Sequence, residues 1–132
     1  MNKLLTLVVY MSVLTWVAII FASMLRGKSW TSKGLIYMIG NRDEALEASV
    51  VSKRADRAAS NTKENFMLFV ALAFVAQASG TQSPLVDQGA SLFFLARVIY
   101  LPAYYIGIPY VRSLVWTAGL VGLVMMLVGI AG

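Results

Sequence analysis

The residue types and spacings that could do chemistry together are Arg57, Asn61, Glu64, Arg97, Tyr100, Tyr104, Arg112 and Ser113. On a helix, positions 57, 61 and 64 fall on one face, and so do 97, 100 and 104. These two polar stripes carry guanidinium forks that suit carboxylates or phosphates, a carboxylate that can receive an ammonium, an amide and phenols. The chain has no cysteine and no histidine. It therefore offers no thiolate nucleophile, disulfide, imidazole base or thiolate–imidazole metal site, and no metal is expected. Any thiol chemistry has to come from a bound molecule.

The elements that position these residues belong to a membrane. Of 132 residues, 59% are hydrophobic and 13% charged, a balance that a water-soluble domain of this size cannot cover. The apolar runs predict an all-α integral membrane protein, a single four-transmembrane-helix antiparallel bundle over residues 1–132. Its spans are expected at about 4–25, 57–78, 88–106 and 112–131, with a loop at about 26–56. The first run is too long for a signal-peptide core and reads as a retained helix. Within the loop, the apolar patch Leu35 to Ile39, bracketed by turn signals at Gly34 and Gly40-Asn41, is too short to cross and is expected to dip into the interface or pack under the bundle. Pro102 is expected to bend the third span near its end.

Arg26, Lys28, Lys33, Arg42, Lys53 and Arg54 all lie in the first long loop, whereas the loop after the second span has no Lys or Arg. The positive-inside rule puts the first and third loops in the cytoplasm and both termini on the opposite side. The formal net charge of +5 sits beside apolar spans, which points to anionic lipid rather than nucleic acid.

An ionisable side chain inside a span costs roughly 2.5–3.5 kcal/mol on insertion scales, so Arg57, Glu64 and Arg97 should face the bundle or a cavity. Glu64 and Arg97 fall at similar depths on adjacent antiparallel helices, and an ion pair between them is predicted. With Arg57, Asn61, Tyr100, Tyr104, Arg112 and Ser113 near the same end, the stripes define a pocket opening toward the cytoplasm. A small zwitterion with extra carboxylates matches its charges. Glutathione is one such molecule, and it also brings the thiol that the chain lacks.

The segment from Arg54 to Phe66 resembles the helix-two signature R-A-x-x-N-x-x-E of the MAPEG family, the membrane-associated proteins in eicosanoid and glutathione metabolism. Arg57-Ala58, Asn61 and Glu64 supply the matching positions. The stretch Arg97 to Tyr104, followed by Arg112-Ser113, is similar to the family's third helix and the start of its fourth. The resemblance covers essentially the whole chain and looks like a bacterial branch, which implies an inner-membrane location with periplasmic termini.

It further implies a homotrimer with glutathione between subunits, touched by Arg57, Asn61, Glu64, Tyr104, Arg112 and Ser113. Arg112 and Ser113 would stabilise the thiolate, and a lipophilic electrophile or hydroperoxide would be the substrate. The sequence departs from well-known relatives at Ser60, where some carry a basic residue, at Tyr100, where His is frequent, and at Trp116, where Tyr occurs. The alternative is a non-catalytic protein of the same fold that binds lipid headgroups or a partner through the basic pocket. A small multidrug exporter is disfavoured because the first span has no carboxylate.

Overall fold

A computed structural model describes residues 1–42 and 48–132. Residues 43–47, part of the loop expected at 26–56, lie outside the described residues. The rest is helical, with no strand among the described residues: α1 Lys3–Gly27, α2 Ser32–Ile39, α3 Val50–Ala78, α4 Pro84–Ile106 and α5 Pro109–Ala131.

Local chemistry sets the boundaries. The side chains of Asn2, Thr31 and Ser49 cap α1, α2 and α3 by accepting backbone N–H bonds from Leu5, Gly34 and Ser52. Pro84 and Pro109 stand at the first helical positions of α4 and α5, where a missing N–H costs nothing. Gly107 ends α4 with φ +84, a left-handed conformation that glycine adopts without strain. The helices extend past the expected spans: α4 and α5 begin at Pro84 and Pro109, before 88 and 112, and α3 begins at Val50, inside the expected loop. Gly34 lies within α2 instead of in a turn. Helix α4 continues through Pro102 to Ile106.

The long helices pack antiparallel. Helix α1 is fixed to α3 at both ends: Asn2 donates to Gln77 at 2.8 Å, and Arg26 pairs with Asp56. Arg54 donates to the Ile106 carbonyl at 3.3 Å, and the Phe69 and Phe93 rings stack at 4.8 Å, so α3 runs along α4 in the opposite sense. In the α4–α5 pair the backbones themselves meet. A Cβ on Gly122 would lie 2.6 Å from the Gly89 carbonyl oxygen, and one on Gly129 would lie 2.8 Å from Val86. Between helices in lipid, such small residues let dispersion contacts replace the missing hydrophobic drive.

Two apolar clusters fill the interior. One holds Leu4, Leu7, Met11, Phe69, Ala73, Val86, Phe93, Leu123 and Met126, and the other holds Ala18, Ala22, Ala55, Ala58, Tyr100 and Leu101. On α1, α3 and α4 the chain passes from one cluster to the other at a buried polar residue: Thr15, Thr62 and Arg97. Helices α1, α4 and α5 are each long and apolar enough to cross a membrane.

The glycine seam yields a paired prediction. Gly122→Ala pushes a methyl group into backbone atoms of α4 and should lower stability by about 1–3 kcal/mol. Gly119→Ala, whose nearest neighbours would be 3.8 Å away, should be tolerated. Thermal denaturation in detergent, followed by circular dichroism, compares the two.

Candidate functional site

Helix periodicity decides which polar residues reach the interior. The buried stripe of α3 runs through Ser52, Ala55, Ala58, Ala59, Thr62, Phe69, Ala73 and Ala76. Small side chains there allow α1 and α4 to come close. Arg57 and Glu64 lie on the opposite, exposed side of α3, with Asn61 half-buried at the edge between the two.

The predicted Glu64–Arg97 ion pair is therefore absent. Arg97 is 1% exposed, and its Nη2 donates instead to the Thr62 hydroxyl at 2.7 Å. Thr62 lies about 200° around the helix from Glu64, at 100° per residue, which is why the hydroxyl reaches the arginine and the carboxylate does not. The other face of the guanidinium lies over the Tyr100 ring, 4.0 Å from its centroid, while its Nε has no partner. Among the described residues the ion pair is Arg26–Asp56, so Arg97 carries its charge without a carboxylate.

Above Arg97 the aromatic residues continue in a ladder. Tyr100 meets Tyr104 edge-on at 5.5 Å, and the Arg112 guanidinium stands 4.9 Å over the Tyr104 ring. Two cations thus bracket two phenol rings, with each guanidinium on the electron-rich face of a tyrosine. The spacing 97, 100, 104 places three rungs on one face of α4, and the α4–α5 turn at Gly107 brings Arg112 back alongside them.

Beside this ladder opens a cavity of about 460 Å³, lined by Asn61, Tyr100, Tyr104, Arg112, Ser113, Trp116 and Thr117. This volume falls within the roughly 300–1,000 Å³ of small-molecule sites. Its lining has a guanidinium, hydroxyls, an amide and an indole, and no carboxylate. Asn65 donates to the Asn61 side-chain carbonyl at 3.3 Å, leaving the Asn61 amide hydrogens available as donors. Thr117 spends its own hydroxyl hydrogen on the Ser113 carbonyl at 2.9 Å. Among the described residues neither the Ser113 hydroxyl nor the Arg112 guanidinium has a hydrogen-bond partner, so both remain available to a ligand. A set with one cation and many donors favours an anionic group on the occupant.

Of the residues singled out by sequence, Asn61, Tyr100, Tyr104, Arg112 and Ser113 come together on this cavity. Arg97 lies beneath it, and Arg57 and Glu64 lie outside it on the exposed face of α3. Sequence reasoning missed Thr62 and Thr117 and met Trp116 only as a departure from relatives. Trp116 and Thr117 sit three and four residues after Ser113, so helical spacing from Ser113 was the available signal.

A helical membrane protein with a polar, cation-bearing cavity at one end of its bundle is the class defined here. The MAPEG family model matches residues 4–132, and the chain belongs to that family. No curated protein and no solved structure matches it.

The Arg97–Thr62 contact can be tested by double-mutant cycles in detergent denaturation. Arg97→Met combined with Thr62→Val should show a coupling of about 1 kcal/mol or more, as expected when a buried donor loses its acceptor. Arg97→Met combined with Glu64→Gln should be additive within about 0.5 kcal/mol.

Proposed function

We propose that the chain is a glutathione-dependent membrane transferase or peroxidase acting on lipophilic electrophiles or hydroperoxides, with Arg112 favouring the thiolate. The observation that carries this reading is the cavity in which the Arg112 guanidinium and the Ser113 hydroxyl, neither hydrogen-bonded among the described residues, stand with Asn61 and two tyrosines. The family includes glutathione transferases and peroxidases among others, and a chain without cysteine needs an imported thiol for any thiol chemistry.

The lining suits glutathione in volume and in donors. Arg112 and the Asn61 amide suit its carboxylates and sulfur, and the Ser113 hydroxyl can donate to the sulfur. Bound glutathione supplies the nucleophilic sulfur. The protein's part is electrostatic: a fixed guanidinium favours the charged form of a neighbouring thiol, and the apolar surroundings magnify the effect.

The reading includes four spans. Helix α3 is too polar to qualify as a span by composition, but it is tied to α1 at both ends, so a bilayer crossed by α1 is crossed by α3 as well. The basic first loop then lies in the cytoplasm and the termini outside, periplasmic for a bacterial inner membrane. Glu64 would face acyl chains in an isolated subunit, at up to roughly 2.5–3.5 kcal/mol, while Arg57, next to the Asp56 that pairs with Arg26, sits near headgroup level. A homotrimer, with a neighbouring copy against this face of α3, removes that cost and brings Arg57 and Glu64 to a ligand held between subunits.

A second reading, lipid-headgroup binding without catalysis, is favoured by one feature. The cavity lining has no carboxylate to meet an ammonium, so a phosphate alone would satisfy it.

The test is thiolate absorbance of glutathione across pH on the detergent-solubilised protein, with isothermal titration in parallel. Binding is expected, with the thiol ionising below the roughly 8.5 of a free cysteine thiol. Because Arg112 stabilises the charged form, Arg112→Met should move ionisation to higher pH. It should also lower turnover per bound glutathione at neutral pH, by up to about tenfold for each pH unit that ionisation moves, the full factor applying where the thiol ionises above neutral pH. No binding at millimolar glutathione overturns the reading. Binding with a thiol that ionises as it does free in solution leaves the non-catalytic one.

A further inference from the structure

Helix α2 is the one described helix that packs without belonging to the bundle of long helices. Both of its main faces are apolar, and only one is packed against the rest of the chain. Gly34, Tyr37 and Met38 turn toward the end of α1, where Met38 fills the space at Gly27 and the Gly34 backbone rests on the carbonyls of Gly27 and Lys28. Any side chain at position 34 would collide with that backbone, so the glycine clasps α2 rigidly to α1. The C-terminal end is closed as well: the Arg42 guanidinium donates twice to the Met38 carbonyl, at 2.9 and 3.1 Å.

The opposite face, Leu35, Ile36 and Ile39, is exposed, and Trp30 just before the helix is 64% exposed. Positions 35, 36 and 39 share one helical face. This patch is not explained as part of a span. Eight residues rise about 12 Å, far short of a bilayer core. The patch also follows the polar run Arg26-Gly27-Lys28-Ser29, which ends the apolar length of α1. An apolar surface clasped at the end of a membrane-crossing helix sits next to one large apolar phase, the boundary between acyl chains and headgroups. Indole rings favour that depth. Lys28 and Lys33 are exposed beside the patch, and neither has an acidic partner among the described residues. Arg26, by contrast, is already neutralised by Asp56.

We propose that α2 is an interfacial anchor that lays Trp30, Leu35, Ile36 and Ile39 into the headgroup boundary of an anionic leaflet, with Lys28 and Lys33 on lipid phosphates. The proposal rests on α1 crossing the membrane and is independent of any thiol chemistry at the Arg112 cavity.

Trp30 is its own reporter once Trp16 and Trp116 are replaced by Phe. The full chain is reconstituted at high dilution into phosphatidylcholine vesicles containing phosphatidylglycerol, with bromine on the upper acyl chain of one lipid or the other. Quenching of Trp30 by the brominated lipid and shielding from aqueous iodide are expected. Brominated phosphatidylglycerol should quench at least about twofold more than brominated phosphatidylcholine at equal mole fraction. Lys28→Gln with Lys33→Gln should erase that preference, and Leu35→Ser with Ile36→Ser and Ile39→Ser should return Trp30 to iodide.

Iodide access without bromolipid quenching overturns the anchor. Equal quenching by the two lipids overturns its anionic preference. Shielding that disappears on further dilution of protein in lipid shows that a second copy covers the patch instead, and overturns the proposal too.

Discussion

A guanidinium does not give up its proton inside a protein, so the charge of Arg97 has to be accommodated where it sits. It sits between two apolar clusters, almost wholly excluded from solvent, and no carboxylate among the described residues comes to it. What it has is one hydroxyl and one aromatic face. That pair of contacts dictates much else. Thr62 must lie on the buried stripe of α3, α3 must stay close enough to α4 for a short side chain to reach, and Tyr100 must keep its ring flat against the cation. The alanines that precede Thr62 on that stripe, Ala55, Ala58 and Ala59, make that approach possible.

The same constraint shapes the cavity. Its lining has no carboxylate, and the arginine beneath it has none, so the positive field of Arg97 and Arg112 is not cancelled locally. Tyr100 and Tyr104 stand between the two cations and present their electron-rich faces to them. An anionic group entering the cavity meets a field set by charges that cost no reorganisation at that moment. The positive field at the cavity is thus a property of the bundle's interior as much as of the residues at the opening.

Much of this is legible in the sequence. The apolar runs announce helices that α1, α4 and α5 supply, and the spacing of Tyr100 and Tyr104, with Arg112-Ser113 after a Gly-Pro turn, names most of the cavity wall. What fails is the rotation of α3. A period of 3.6 shows that Arg57, Asn61 and Glu64 share a face, but not that this face turns inward. The competing stripe of Ala55, Ala58, Ala59 and Thr62 is visible as well, and its small side chains are the better sign of close packing. Charge draws the eye to Glu64, while packing chooses Thr62. Similarly, Gly34 reads as a turn because glycine breaks helices, whereas in the fold it stays helical and lets α2 rest against the backbone at the end of α1.

The contact of Gly89 with Gly122 has a consequence for how anything gets in. Backbones that touch have no side chains left to swing aside, so α4 and α5 form a single rigid leaf over that part of their length. Six of the seven residues around the cavity stand on α4 and α5 beyond this seam, where the short turn at Gly107 and Ile108 joins the two helices, and Asn61 alone comes from α3. What closes the α3 side is a pair of side-chain hydrogen bonds, Arg97 to Thr62 and Arg54 to the Ile106 carbonyl, which can break and re-form where touching backbones cannot. The two borders of the opening thus differ in kind: one is joined through main chain, the other through exchangeable side-chain contacts.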